Sequence, residues 1–156
     1  MAKVIVGLSG GVDSAVAAYL LKEAGHEVIG ITLRTDTEEG RCCEISDARQ
    51  TAWKLHIPYY APNVIDDFSK HVKQPFFDSY LKGSTPNPCI ECNRYVKWDR
   101  LLHYASVLGA DYIATGHYAS VLQLPGGRYT VQQAEHPEKD QTYMLYKLTQ
   151  DQLAHT

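Results

Sequence analysis

Residue types suited to chemistry gather in two places. The first is Gly7-Leu8-Ser9-Gly10-Gly11-Val12-Asp13-Ser14, which follows the apolar run Lys3-Val4-Ile5-Val6 and leads into Ala15-Val16-Ala17-Ala18-Tyr19-Leu20-Leu21. A β-branched run, two adjacent glycines and a helical pattern describe a strand, a tight turn and a helix. At such a junction free backbone N–H groups meet the positive end of a helix dipole, which favours phosphate. Ser9 and Ser14 bring hydroxyl donors, and Asp13 brings a carboxylate for a magnesium ion shared with the phosphates. The turn has no lysine, so it is not the Gly-x-x-x-x-Gly-Lys-Ser/Thr loop and points to a different nucleotide chemistry.

The second place is the cysteines, which fall as Cys42-Cys43 and Cys89-x-x-Cys92. Cys89 and Cys92 sit in Lys82-Gly83-Ser84-Thr85-Pro86-Asn87-Pro88-Cys89-Ile90-Glu91-Cys92-Asn93, a loop stiffened by two prolines. Val96, Leu101, Leu102, Ala105 and Leu108 then mark a helix, which places Cys92 near its N-terminus, where a thiol ionises more readily. Three chemistries stay open: a zinc half-site, an iron–sulfur half-site, and a nucleophile at Cys92. Cys42 and Cys43 read as surface thiols of a polar loop.

The elements that must position these groups form an α/β pattern. Val28-Ile29-Gly30-Ile31-Thr32-Leu33 is a second buried strand, so strand, helix and strand make a right-handed parallel crossover with the glycine turn at its carboxyl edge. Leu33 ends at that edge and is placed either against an adenine or in the core. Val12, Ala15, Val16, Tyr19 and Leu20 are expected to cover the sheet. Ser46 caps a helix to about Leu55, Ile57–Tyr60 is a third strand, and 66–80 is a helix packed through Phe68, Val72, Phe76 and Tyr80, with Pro75 kinking or splitting it. Trp53 and Trp98 are assigned to packing. Asp111–Thr115 is a further strand closed by Gly116-His117-Tyr118, a turn expected beside the first glycine turn. Segments 121–124 and 129–132 flank a hairpin turn. Thr149-Gln150-Asp151-Gln152 is a capping box with four residues to follow, a helix too short to bury a useful face, so the chain reads as a fragment.

The composition is that of a soluble globular domain large enough for one core: 156 residues, with 15 Lys and Arg against 18 Asp and Glu. A net charge of −3 means that any nucleic-acid contact rests on a local patch rather than on an overall basic field. No apolar run reaches bilayer length and Met1-Ala2-Lys3 leads straight into a strand, so the expectation is a cytoplasmic protein without membrane contact.

Four motifs now stand in one order: Gly-Leu-Ser-Gly-Gly-Val-Asp-Ser at 7–14, Thr-Pro-Asn-Pro-Cys-Ile-Glu-Cys-Asn at 85–93, Ala-Thr-Gly-His-Tyr at 114–118 and Lys-Asp-Gln-Thr-Tyr at 139–143. The first resembles the PP-loop of the ATP pyrophosphatases, and the set resembles the tRNA-specific 2-thiouridylase family over nearly the whole chain. The resemblance implies a parallel-sheet, adenine nucleotide alpha hydrolase-like (Rossmann-like) fold, with residues 1–156 forming the N-terminal ATP-binding catalytic domain and the C-terminal tRNA-binding and β domains lying outside. It implies ATP and Mg²⁺ on Gly7, Leu8, Ser9, Gly10, Gly11, Val12, Asp13 and Ser14, with Leu33 and Gly116 lining the nucleotide. It further implies Asn87, Pro88 and Cys89 against the target uridine, Cys92 as nucleophile, and Lys139, Asp140 and Gln141 against tRNA. The implied reaction is adenylation of the wobble uridine (U34) at O2, then replacement of that oxygen by sulfur from a cysteine persulfide, with a sulfur-carrier protein or persulfide donor as partner.

Two departures from the family pattern matter. The second essential cysteine of the family lies beyond the matched region, and neither Cys42 nor Cys43 takes its place, so the chain alone is expected to bind nucleotide without thiolation. Cys89 stands where many members carry an aspartate; with Cys92 and the missing cysteine it would suit a [4Fe–4S] cluster. Competing readings are another ATP pyrophosphatase of the amidotransferase-synthetase kind and a non-enzymatic metal module built on the cysteines.

Overall fold

The computed structural model describes residues 1–36 and 45–156. Cys42 and Cys43, and the loop role expected for them, lie outside the described residues. The chain divides into two compact units: Met1–Ile65 with Arg100–His117 and His155, and Asp66–Asp99 with Tyr118–Ala154 and Thr156.

The first unit holds a four-stranded parallel sheet. β1 (Lys3–Gly7) and β2 (Glu27–Ile31) are joined by α1 (Val12–Glu23), and α2 (Ile45–Lys54) leads to β3 (Tyr59–Tyr60). α6 (Asp99–Leu108) precedes β4 (Tyr112–Ala114), and the strand order is β3-β2-β1-β4, all parallel. Alternation along β1 sets the layers: Val4 and Val6 pack with Ala18, Val28, Ala48 and Ala52 under α1 and α2. Gly7 lies two residues on from Ile5, on the opposite side of the sheet, and a Cβ there would meet Leu101 of α6 at 3.3 Å. The α/β parallel-sheet reading therefore holds. The order reverses between β1 and β4, and β1, β2 and β4 all end on one edge, the place where open α/β sheets bind ligands.

The helix faces differ from the pattern of large apolar residues. Val12, Val16, Tyr19 and Leu20 are exposed, and α1 turns Ser14 and Ala18 inward instead. Small residues let the helix approach the sheet closely, and Ser14 must face inward to reach the turn. The same logic governs α2: Ala48 and Ala52 are buried, which leaves Trp53, the next residue round the helix, 73% exposed rather than packed.

The second unit is helical with one hairpin. α3 (Ile65–Phe68) begins at its boundary and runs through a wide π-helical turn, Ser69–Lys73, into α4 (Gln74–Leu81). Pro75 has no N–H to donate, and the turn before it widens so that the Gln74 N–H reaches the Ser69 carbonyl; the helix widens where a kink or split was expected. Val72 is buried, while Tyr80 is exposed and meets Phe76 edge-on at 4.9 Å. α5 (Pro88–Cys92) passes into a second π-helical stretch, Asn93–Trp98, whose Tyr95 stacks on His71 at 5.4 Å. Trp98 is buried as expected, donating its indole N–H to the Thr156 hydroxyl at 3.0 Å.

β5 (Ala119–Gln123) and β6 (Tyr129–Gln133) pair antiparallel, and α7 (Gln150–Ala154) closes the chain. The capping box is reciprocal: the Thr149 N–H donates to Gln152 Oε1 at 2.9 Å and the Gln152 N–H to Thr149 Oγ1 at 3.2 Å. This short helix does bury a face, Gln152 and Leu153, because Gln152 also donates to the carbonyl of Arg94 and to the Asp99 carboxylate. Among the described residues, no helix is long and apolar enough to cross a membrane.

Candidate nucleotide site and thiol helix

The glycine turn is built by its own hydroxyls. Gly10 has φ 87°, a left-handed conformation open to glycine, and Gly11 is extended as the N-cap of α1. Gly11 has no side chain to cap with, and Ser9 and Ser14 brace the turn instead. The Ser14 hydroxyl donates to the Gly11 carbonyl at 3.0 Å and accepts the Ser9 N–H at 3.2 Å, while the Ser9 hydroxyl accepts the Gly11 N–H at 3.3 Å. Ser14 is buried, so its hydroxyl is spent holding the loop; Asp13 and Val12 are exposed at the helix start. The first-turn N–H groups of α1 have no intrahelical acceptor, and with the helix dipole they make an anion-binding end.

Gly116 fixes that end from the neighbouring strand. A Cβ at Gly116 would lie 2.6 Å from Ser14 N and 2.7 Å from the Asp13 carbonyl carbon, so only glycine lets the turn after β4 lie against the start of α1. The two glycine turns are thus brought side by side. Leu8 and Leu33 are both buried, and Thr32 joins the two strand ends by donating its hydroxyl to the Leu8 carbonyl at 2.7 Å. His117 Nδ1 pairs with the Thr115 hydroxyl at 2.7 Å, a local brace for the second turn.

In the second unit, Asn87 is the N-cap of α5, and its side chain accepts the Cys89 N–H at 3.1 Å. Pro88, with no N–H to satisfy, takes the first helical position. The helix therefore begins four residues before Cys92, and Cys89 rather than Cys92 lies in its first turn. Cys89 is exposed and Cys92 half-buried. Among the described residues no three His, Cys, Asp or Glu side chains gather as a metal cage. Two thiols one helical turn apart do not complete a [4Fe–4S] site. Asn87 and Pro88 help line a cavity of about 260 Å³ with Phe76, Glu91, Tyr146 and Lys147. The Glu91–Lys147 ion pair and the bond from Asn93 Nδ2 to the Met144 carbonyl, 3.1 Å, tie the thiol helix to the segment that follows Lys139-Asp140-Gln141.

Of that trio Lys139 is exposed, while Asp140 and Gln141 bond to neighbouring segments. Gln141 Oε1 accepts the Tyr118 N–H at 2.9 Å, and the Gln141 N–H donates to the Tyr118 carbonyl at 3.0 Å. The Lys139 ammonium lies 5.3 Å from the Tyr118 ring centre. The Asp140 carboxylate accepts the Thr142 hydroxyl and the Ala134 N–H, and these bonds, the Thr142 one foremost, hold it below its ordinary value of 3.8. A depressed carboxylate stabilises the fold above its unfolded value and loses that contribution as pH falls through the folded one. Amide exchange at Ala134 is therefore expected to quicken, relative to neighbouring hairpin amides, only as pH drops below about 3.8, and Asp140→Asn should remove that pH step. A step that survives in Asp140→Asn would assign it to another group.

Residues 2–156 match the family model described as the tRNA methyl transferase HUP domain. The chain belongs to this family. The HUP domain is 54% identical over 167 aligned residues to the tRNA-specific 2-thiouridylase MnmA of Lachnoclostridium phytofermentans, covering all of this chain and 47% of that protein. It is 51% identical to the enzyme of the same name from Clostridium acetobutylicum, covering 99% of the chain and 46% of that protein. The chain thus spans about half the length of the curated relatives it matches. Among solved structures, the U34-tRNA thiolase NcsA from Methanococcus maripaludis, with its [4Fe–4S] cluster, aligns at a TM-score of 0.55 and 29% identity, covering 74% of this chain and 38% of that one. The resemblance drawn from four motifs is borne out.

Some positions in the HUP domain carried no sequence signal. Thr32 is an isolated hydroxyl in an apolar strand, and its bond to Leu8 appears only once the strands are paired. Asn93 is buried, with Oδ1 lacking a hydrogen-bond partner among the described residues, and nothing in its neighbours foretold the Met144 contact. Gly30 was readable only as a strand residue, yet a Cβ there would lie 2.6 Å from Leu8 Cδ1.

Proposed function

We propose that this chain is the nucleotide-activating half of a tRNA-uridine 2-sulfurtransferase acting on U34 in the cytoplasm. The observation that carries the reading is the turn at 7–14: its serines brace the loop from within, which leaves the backbone N–H groups of the helix start for phosphate. Identity of 54% to a 2-thiouridylase along the whole chain supports the substrate. ATP lies along Gly7–Ser14 with Leu33 and Gly116 beside it, and the exposed Asp13 carboxylate suits a Mg²⁺ ion shared with the phosphates.

Uridine O2 attacks the α-phosphorus; an O–P bond forms, the bond to pyrophosphate breaks, and the N3 proton leaves. This turns a poor leaving group into AMP. Persulfide sulfur then attacks C2 and AMP departs with the former O2; a thiolate, the role assigned to Cys92, attacks the donor's sulfur in the remaining S–S bond, so that a disulfide with the donor forms, the other sulfur stays on C2 and N3 regains a proton. The uridine must leave its stack for this chemistry, and Asn87, Pro88 and Cys89 are the residues we assign to meet it. Lys139 supplies charge toward tRNA, on a surface whose shape Asp140 and Gln141 hold. The sulfur donor and the second cysteine belong to partners or to sequence outside this chain. The chain alone binds nucleotide and does not thiolate.

Thermal unfolding with ATP and Mg²⁺ tests the reading. At a ligand concentration a hundredfold above Kd, binding is expected to add about 2.7 kcal/mol of stability. A folded chain with an unchanged midpoint and no heat of binding would refute it.

A further inference from the structure

We propose that a second cavity of the hairpin unit takes an unpaired nucleotide flanking the target uridine; this rests on the reading that the chain acts on tRNA. The cavity has a volume of about 420 Å³, within the range of small-ligand sites, and is lined by Arg128, Tyr129, Tyr143, Tyr146, Gln150 and Leu153 among others. Tyr143 is 57% exposed and Tyr146 65% exposed. Tyr146 also lines the smaller cavity at Asn87 and Pro88, so the two share a wall. A base held at Asn87-Pro88 would have its neighbour in the chain at the tyrosines.

The lining suits a nucleotide better than a peptide. Bare aromatic rings stack any base, and Arg128, at the end of the hairpin turn, makes no side-chain hydrogen bond or ion pair among the described residues, which leaves its guanidinium for a phosphate. The wall is also closed to an added strand at Tyr129. The Tyr129 N–H donates to Gln150 Oε1 at 2.8 Å and the Tyr129 carbonyl accepts from Gln150 Nε2 at 2.9 Å, so its backbone groups are already paired. In a chain of net charge −3, one free arginine beside exposed tyrosines is the kind of local patch that RNA contact requires.

The test is fluorescence anisotropy of the whole chain with a labelled RNA hairpin carrying a seven-nucleotide loop with a central uridine. Tyr143→Ala and Tyr146→Ala are each expected to weaken binding about tenfold, with Tyr143→Phe and Tyr146→Phe retaining it. Arg128→Gln should weaken binding and lower the salt slope by about one. ATP binding, which uses the other unit, should be unchanged in all of them. If the chain binds the hairpin and the alanine variants bind as tightly, the cavity is not an RNA site although the tRNA reading stands. If the unaltered chain does not bind RNA, both fall. Alanine variants that keep RNA affinity but no longer associate with the second half of a longer relative would give the cavity to a protein segment and overturn the proposal. Should a variant fail to fold, photocrosslinking of the unaltered chain to 5-bromouridine RNA decides: crosslinks at Tyr143 or Tyr146 support the proposal, and crosslinks confined elsewhere refute it.

Discussion

Gly116→Ala is expected to destabilise the chain by about 1–3 kcal/mol and to weaken ATP binding at least tenfold. The contacts a Cβ would make are with Ser14 N at 2.6 Å, the Asp13 carbonyl carbon at 2.7 Å and Ser14 Cα at 2.9 Å. All three are backbone atoms, so no rotamer change relieves them. Ordinary carbon contacts lie at about 3.5–4.0 Å, and the start of α1 must move back by something near 1 Å. That movement reaches the turn directly, because Ser14 carries the bonds to Ser9 and Gly11 that shape it. Gly30→Ala is the control: its Cβ would also lie at 2.6 Å, but from Leu8 Cδ1, the end of a side chain that can turn aside. The measurement is a paired one, thermal midpoint and calorimetric ATP affinity for both variants. An alanine at 116 that leaves both unchanged would mean that the two glycine turns do not meet as described.

How far the sequence reached depends on the range of the interaction. The crossover from β1 through α1 to β2 is local, and a β-branched run, two glycines and a second β-branched run are enough to write it down. The direction in which α1 faces is not local. Val12, Val16 and Tyr19 promised an apolar seam, yet the sheet selects Ser14 and Ala18 because a closely approaching helix needs small residues. Trp53 failed for the same reason, one residue beyond Ala52. The candidate site divides in the same way. The turn at 7–14 is legible from its own residues, whereas the stretch expected as a loop through Asn93 is helical from Pro88, and the bonds of Asp140 and Gln141 could not be read without knowing that Ala134 and Tyr118 lie opposite them. A motif carries residue identity faithfully and says little about which atoms are spent on holding the loop.

The thiol helix carries the other large effect. With this chain joined to the second half of the Lachnoclostridium relative, Cys92→Ser is expected to reduce tRNA thiolation to background while leaving ATP binding and the thermal midpoint within error. A serine hydroxyl fits where the thiol stood, but it ionises far too weakly to attack a disulfide or persulfide sulfur. Cys89→Ser separates the chemistries. Cys89 is exposed in the first turn, where its N–H is capped by Asn87, and its side chain is free of that cap. A nucleophile at Cys92 predicts that Cys89→Ser keeps a substantial part of the rate and that the anaerobically purified protein holds no stoichiometric iron. A cluster would need both sulfurs, so equal loss in the two variants, together with iron and acid-labile sulfide in the unaltered protein, would replace the nucleophile by a metal-bound sulfur. Full thiolation by Cys92→Ser would remove the helix from the reaction altogether and leave the glycine turn as the chain's one catalytic element.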